Sequence, residues 1–290
     1  MKKIIILMPV YNDWESISKV LSEINEIAKE IKNFEFNCIV INDCSTVKKI
    51  NIKKQKYIKS IKIINMRENR GHARCNAFGV RYINSNEEFN YVIIMDSDGE
   101  DRPIEIRDFI KQLNIDPNSS IVAKRVKRSE GVIFQFLYQI HKLITIIFTG
   151  QKINFGNYSC LTKKDLMLIS DKKSLWSTFS GTIKKYLSNF NEINSIRGLR
   201  YFGPSKMSIF NLSIHSLSII AAFKYHVFFR SFFIFLILFA AKNFIGIWSL
   251  ILQIILMLFC LLVFVVSRRE NEEDLLKSDK NVLNEEKLFP

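Results

Sequence analysis

Asp96 and Asp98 stand one residue apart, directly behind the apolar run Tyr91 to Met95. Two carboxylates that close repel each other, and burying them is costly unless something positive offsets the charge. A divalent cation bridging to phosphate oxygens suits such a pair, because hard cations take oxygen ligands. By itself Asp-x-Asp is common in solvated loops. Its place behind Val92-Ile93-Ile94-Met95 raises it above that background. Asp43 follows another apolar run, Val40-Ile41-Asn42, where it can bond a ribose or base or simply form a turn.

The elements that must position these residues are legible from periodicity. Ile4 to Val10, Phe36 to Ile41, Ile61 to Asn65 and Tyr91 to Met95 read as buried strands, and Ile121 to Ala123 as a shorter one ending in Lys124-Arg125. Between them, Ile17, Val20, Leu21, Ile24, Ile27 and Ile31 recur at helical spacing behind a potential Asp13 cap, and Gly71 to Ile83 reads as a second helix. Alternating strands and helices predict a parallel, doubly wound sheet, in which ligands collect beyond the carboxyl ends of the strands. Asn12, Asp13, Asp43, Asp96 and Asp98 all fall at such ends. Beyond Arg102-Pro103 the pattern loosens into helical segments broken at Gly150, Gly156 and Gly181.

The chain of 290 residues carries a formal charge of +14, yet it has no zinc-finger spacing or RNA-binding signature, so nucleic acid is not an expected partner. Five cysteines without paired spacing point to a reducing compartment rather than a disulfide framework. Lys2-Lys3 followed by Ile4 to Val10 is too short for a signal peptide and reads as the first strand. Residues 204 to 226 carry an apolar stripe (Met207, Phe210, Ile214, Leu217, Ala221) and predict an amphipathic helix on a membrane surface. Phe244 to Val266 is uncharged for 23 residues, enough for a bilayer core that needs roughly 20. A first span over 227–241 requires extension past Arg230, whose side chain would snorkel to the interface. Lys242-Asn243 would be the outer turn of the hairpin. Lys224, Arg230 and Arg268-Arg269 place both ends in the cytoplasm, giving a multi-pass protein of the inner membrane. The expected division is a catalytic domain over 1–200, a juxtamembrane helix over 201–226, a hairpin over 227–267 and a charged, mobile cytoplasmic tail over 268–290.

Four segments occur in order: Pro9-Val10-Tyr11-Asn12-Asp13, Val40-Ile41-Asn42-Asp43-Cys44-Ser45, Asn69-Arg70-Gly71-His72 and Met95-Asp96-Ser97-Asp98-Gly99-Glu100-Asp101. Together they resemble the successive motifs of family 2 glycosyltransferases of the GT-A fold, over about residues 3 to 130. Arg197-Gly198-Leu199-Arg200-Tyr201-Phe202-Gly203-Pro204-Ser205-Lys206-Met207 is similar to the arginine-rich segment before the membrane helices of polyprenyl-phosphate glycosyltransferases, including the dolichyl-phosphate mannose synthase group. The resemblance implies a Rossmann-like, mainly parallel mixed sheet with helices on both faces. It implies that Pro9, Tyr11, Asp13, Ile41, Asp43 and Ser97 line the site of a UDP- or GDP-linked sugar. Asp96 and Asp98 would hold Mg2+ or Mn2+, with Glu100 a third ligand. Asp98, Asp101 and Arg125 would serve the reaction, and Arg200 and Lys206, with Arg197, would hold phosphates.

Two departures matter. The family's acidic pair after the second strand reads Asn42-Asp43, and its Gly-Asp-Phe-Arg reads Gly156-Asn157-Tyr158-Ser159. Asn157 cannot act as a base, which favours an acceptor that is already anionic, polyprenyl phosphate, over a hydroxyl; Asp101 or Glu130 are the alternative bases. The expected reaction is a one-step inverting displacement. Its rivals are transfer to a hydroxyl of a lipid-linked saccharide and a catalytically silent nucleotide-sugar-binding membrane protein. A homo-oligomer is compatible with either.

Overall fold

The computed structural model describes residues 1–127, 132–204 and 208–289. Its first strand, β1 (Lys2–Val10), shows why the sequence folds as layers. Ile4, Ile6, Met8 and Val10 enter one hydrophobic core, while Ile5 and Leu7 enter another. Alternate side chains therefore feed opposite faces, and each face needs helical cover. Helix α1 (Trp14–Glu30) supplies it on one side through Ile17, Val20, Leu21, Ile24 and Ile27. After β2 (Phe34–Asn42) and β3 (Ile58–Met66), α2 (His72–Asn86) covers the other side through Cys75, Phe78, Val80 and Ile83.

β4 (Tyr91–Ile94), α3 (Ile106–Ile115), β5 (Ile121–Lys127), α4 (Val132–Thr149), β6 (Phe155–Thr162), α5 (Lys163–Ile169), α6 (Phe179–Tyr186) and β7 (Asn191–Ile196) follow. The eight-stranded sheet has the order β7-β5-β6-β4-β1-β2-β3-β8. β1 to β4 run parallel, with Val10 opposite Asn42 and Leu7 opposite Ile94, so three strand ends meet at one rim. β6 lies antiparallel between β4 and β5. The sheet is mixed and mainly parallel, as expected. The loose region after Arg102 thus contributes two strands, β6 and β7, beyond the expected β5, as well as helices. β6 eluded the pattern because Gly156, Asn157 and Ser159 interrupt its apolar alternation.

The chain then enters α7 (Ile209–Ala221), α8 (Lys224–Ala240), the single turn α9 (Lys242–Ile245) and α10 (Ile247–Ser267). The one helix predicted over 204–226 breaks at Ala222-Phe223, where α7 and α8 meet at 83°. Met207 lies outside the described residues. α10, at 21 residues, spans about 32 Å at 1.5 Å per residue and is the one described helix long and apolar enough to cross a membrane. α8, at 17 residues, reaches only about 25 Å. Arg230 does not simply snorkel. Its guanidinium donates to the Ile147 carbonyl at 3.0 Å, at the carboxyl end of α4, where free carbonyls attract cations.

The expectation of a mobile tail is overturned. Behind α10, Asn271 caps α11 (Glu272–Leu276), Leu275 is fully buried in the core, and β8 (Val282–Phe289) pairs antiparallel with β3. A charged strand reads as solvated tail, but here the charges are matched. Glu285 accepts from Tyr82 at 2.7 Å, and Glu286 accepts from Asn65 at 2.8 Å and pairs with Lys49. β8 also covers a sheet edge that would otherwise be bare.

Candidate active site

β4 delivers the chain to the rim, and the loop Asp96 to Asp101 closes there on itself. Asp101 accepts the Asp96 amide at 2.9 Å, Asp98 accepts the Glu100 amide at 3.0 Å, and the Ser97 hydroxyl donates to the Pro9 carbonyl at 2.6 Å. Gly99 has φ of +90°, and a Cβ on it would strike the Tyr201 ring, so only glycine fits.

The basic segment behind β7 folds over this loop. Glu105, buried at 5% exposure, receives Ser195 Oγ at 2.7 Å and the Ile196 amide at 2.9 Å and so fixes where the segment starts. The Gly198 amide donates to the Glu100 carbonyl at 2.8 Å and the Tyr201 amide to the Asp98 carbonyl at 2.9 Å. Tyr201 in turn donates to Glu23 of α1 at 2.6 Å. Arg200 is thereby held between two carboxylates, 2.8 Å from Asp98 and paired also with Asp13. Asp13 stands at the start of α1 but makes no side-chain cap; its charge is spent on Arg200 instead.

Asp96 lies 3.1 Å from His72 Nε2 and accepts from the Asn157 amide. Burial would raise this carboxyl, but His72, Arg197, Arg125 and the Asn157 bond outweigh burial and hold it low. Burial, with the Asp96 and Glu100 charges, pushes Asp98 up to about 6. Burial and Asp96 push Asp101 up to about 7. Arg125 lies against Gly156, where a Cβ would come 2.3 Å from its Nη2.

Other sequence-predicted residues take different parts. Glu100 pairs with Arg197 and is not a free third ligand; among the described residues no cluster of three or more His, Cys, Asp or Glu is poised for a metal. Asp101 is 4% exposed and closes the loop rather than facing an acceptor. Asp43 is 3% exposed, and its two carboxylate oxygens accept the Arg70 and Gly71 amides at 2.9 Å each, because a buried carboxylate needs donors. Ile41 is wholly buried in the core and Pro9 is buried at the rim, whereas the Tyr11 ring is partly exposed. Lys206 and Glu130 lie outside the described residues. Nothing in Asn69-Arg70-Gly71-His72 as a sequence signals a part for His72; a histidine facing the first aspartate of the pair is visible only in three dimensions.

Asp96 and Asp98 fit a divalent cation. Asp96 Oδ1 is buried and makes no hydrogen bond, its close neighbour being His72 Nε2 at 3.1 Å; both carboxylates offer oxygen ligands, and their repulsion is already expressed in the raised Asp98. The remaining ligands would be phosphate oxygens or water. The raised carboxyls make a prediction. In the metal-free fold Asp98 and Asp101 bind more protons than in the unfolded chain, so their contribution to stability falls as pH rises from about 4 through about 7. A cation favours the ionised pair and must displace a proton below pH 6. The Mn2+-induced rise in Tm is therefore expected to be larger at pH 8 than at pH 5.5, with affinity falling toward about tenfold per unit below pH 6. A pH-independent rise would refute the assignment.

The glycosyl transferase family 2 model matches residues 5–190, from β1 through α6. Glucosyl-3-phosphoglycerate synthase from Mycobacterium tuberculosis, in complex with Mn2+, UDP-glucose and phosphoglyceric acid, is a structural relative at 14% identity and TM-score 0.53, covering 78% of this chain and 80% of that one. Its complex with Mg2+ and UDP gives 14% identity and TM-score 0.51, over 78% and 79% of the two chains. At such identity the likeness speaks to fold. No curated protein sequence matches the chain. The family match covers more than half of the length and every rim loop except the basic segment after β7, so the chain belongs to glycosyl transferase family 2 and is a glycosyltransferase.

Proposed function

We propose that the enzyme transfers a sugar from a UDP- or GDP-linked donor to polyprenyl phosphate by an inverting single displacement at a membrane surface. The observation that carries this reading is the basic segment. Arg197 and Arg200 fold directly over the Asp96-Asp98 loop, and the same segment leads into α7 and the apolar helices. Phosphates of the donor and of a lipid acceptor would meet there. The solved relatives carry Mn2+ or Mg2+ with UDP or UDP-glucose. Bound between Asp96 and Asp98, such a cation would neutralise the charge developing on the leaving nucleoside diphosphate.

Arg200 has the fork geometry for a phosphate, and Lys206 follows it six residues on. Asn157 supports an anionic acceptor. An aspartate there would add a further negative charge beside Asp96, whereas the amide donates to it. A hydroxyl acceptor would need a base, and the nearby Asp101 is closed off. The exposed apolar faces of α8 and α10, together with Phe136, Leu137, Ile140 and Leu143 of α4, support an enzyme seated in a membrane. A multi-pass arrangement with the sheet toward the cytoplasm rests in this reading on the flanking Lys224, Arg230 and Arg268-Arg269.

The test uses the full chain with Mn2+, polyprenyl phosphate and a panel of UDP- and GDP-sugars. A chloroform-soluble glycosyl phospholipid is the expected product. Transfer to sugar hydroxyls alone would overturn the phosphate acceptor, and donor binding without any product would leave the silent binder.

A further inference from the structure

Asn281 lies just beyond α11, past the membrane helix, yet it clasps the loop that supports Asp43. It is 4% exposed. Its side-chain amide donates to the Glu68 carbonyl at 3.0 Å, its side-chain oxygen accepts the Glu68 amide at 3.1 Å, and its own carbonyl accepts the Arg67 amide at 2.7 Å. Arg67 Nε reaches the next carbonyl, of Val282, at 3.0 Å. Such reciprocal bonds fix both the height and the tilt of a backbone segment, because both backbone groups of Glu68 and the Arg67 amide are committed to them.

Two short paths run from that segment to the rim. Through Glu68, it sets the peptides of Arg70 and Gly71, whose amides hold the two oxygens of Asp43. Through Arg67, whose carbonyl accepts the Cys44 thiol at 3.2 Å, it steadies the residue after Asp43, which has φ of +57°. A narrow crevice of about 10 Å³ lies among Asp43, Arg70, Arg74, Trp176 and Asn281, so the strap and the carboxylate border one space. α2, which carries His72 to Asp96, starts directly behind Gly71.

We infer that Asn281 is a positioning residue for donor binding, through which the segment behind the membrane helix sets the loop that shapes the nucleoside side of the site. This rests on the proposed nucleotide-sugar reading. Without the clasp, Glu68 loses both its bonds to Asn281, and the Asp43 loop samples geometries in which the nucleoside is poorly held. The cost falls on donor affinity more than on the chemical step.

The experiment measures binding of UDP and of GDP, each with Mn2+, by calorimetry on the full-length protein in detergent, and turnover with the donor panel. Asn281→Ala is expected to weaken nucleotide binding and raise KM for the donor about tenfold, with kcat changed less than twofold. Asn284→Ala, which loses the 2.6 Å bond to Asn65 on the same strap, should leave donor affinity unchanged and so reports strap docking alone. In Asp43→Asn the second loss on adding Asn281→Ala should be less than twofold, since both act through one loop. Should Asn281→Ala bind nucleotide as the wild type does, or Asn284→Ala weaken binding equally, the inference is overturned. A wild-type protein that binds neither nucleotide overturns the donor reading along with it.

Discussion

Asn in place of Asp98 is expected to lower glycosyl transfer at least ~10³-fold while leaving the fold as stable as before or more so. The two effects have separate physical sources. Catalysis loses one of the two carboxylates proposed to hold the cation that neutralises the leaving diphosphate, a contribution of several kcal/mol in such sites. Stability does not suffer, because the Asp98 carboxyl is held in a place that burial and the Asp96 charge make unfavourable for it, as its rise to about 6 records. An amide keeps the shape and removes the repulsion; its single oxygen can keep one of the two bonds, from the Glu100 amide or from Arg200, and Arg200 retains Asp13. The same change at Asp96 should behave differently, because His72, Arg197 and Arg125 hold that carboxylate ionised and its loss leaves their charges unbalanced. Thermal melts with and without Mn2+ check the pair. Asp98→Asn should keep its Tm but lose the Mn2+ shift, whereas Asp96→Asn should lose both. An active Asp98→Asn variant, or one that still answers to Mn2+, would remove the metal from the proposed site.

Arg200→Ala is expected to reduce transfer about 10–100-fold, the worth of one to two charge-assisted hydrogen bonds. In the structure that guanidinium neutralises Asp13 and Asp98 together. Without it two nearly buried carboxylates face each other unpaired, so the metal-free protein should melt at lower temperature. Mn2+ should then bind more tightly than in the wild type, since no internal cation competes for Asp98. Arg200→Lys should restore much of the melting temperature and less of the activity, because an ammonium cannot address two groups with one planar fork. Activity within threefold of wild type in the Ala variant would show that this arginine serves the resting fold alone.

The donor half of the site was legible because it lies at the ends of strands with unambiguous patterns. Val92-Ile93-Ile94-Met95 could hardly be anything but a buried strand, and Asp96 had to emerge at its rim. What each carboxylate does there was not legible, because partners come from far along the chain. Asp13 and Glu100 read as site residues, yet each is paired with an arginine some 100 to 190 residues away. Asp43 read as a ligand, but its oxygens turn inward to the Arg70 and Gly71 amides. Asn157 read as a lost acid and is instead a donor to Asp96. β8 was missed for a related reason. Val282-Leu283-Asn284-Glu285-Glu286-Lys287 resembles a solvated tail until Lys49, Lys62 and Tyr82 are placed opposite it.

That strand also orders events during biosynthesis. The sheet's outer edge on β3 is completed only by residues translated after α10. During synthesis the layer built from β1 to β7 therefore stays open along β3 until the residues behind α10 have been added. Edge closure, and with it the clasp of Asn281 on the Glu68 backbone, is thus the last step in assembling the sheet.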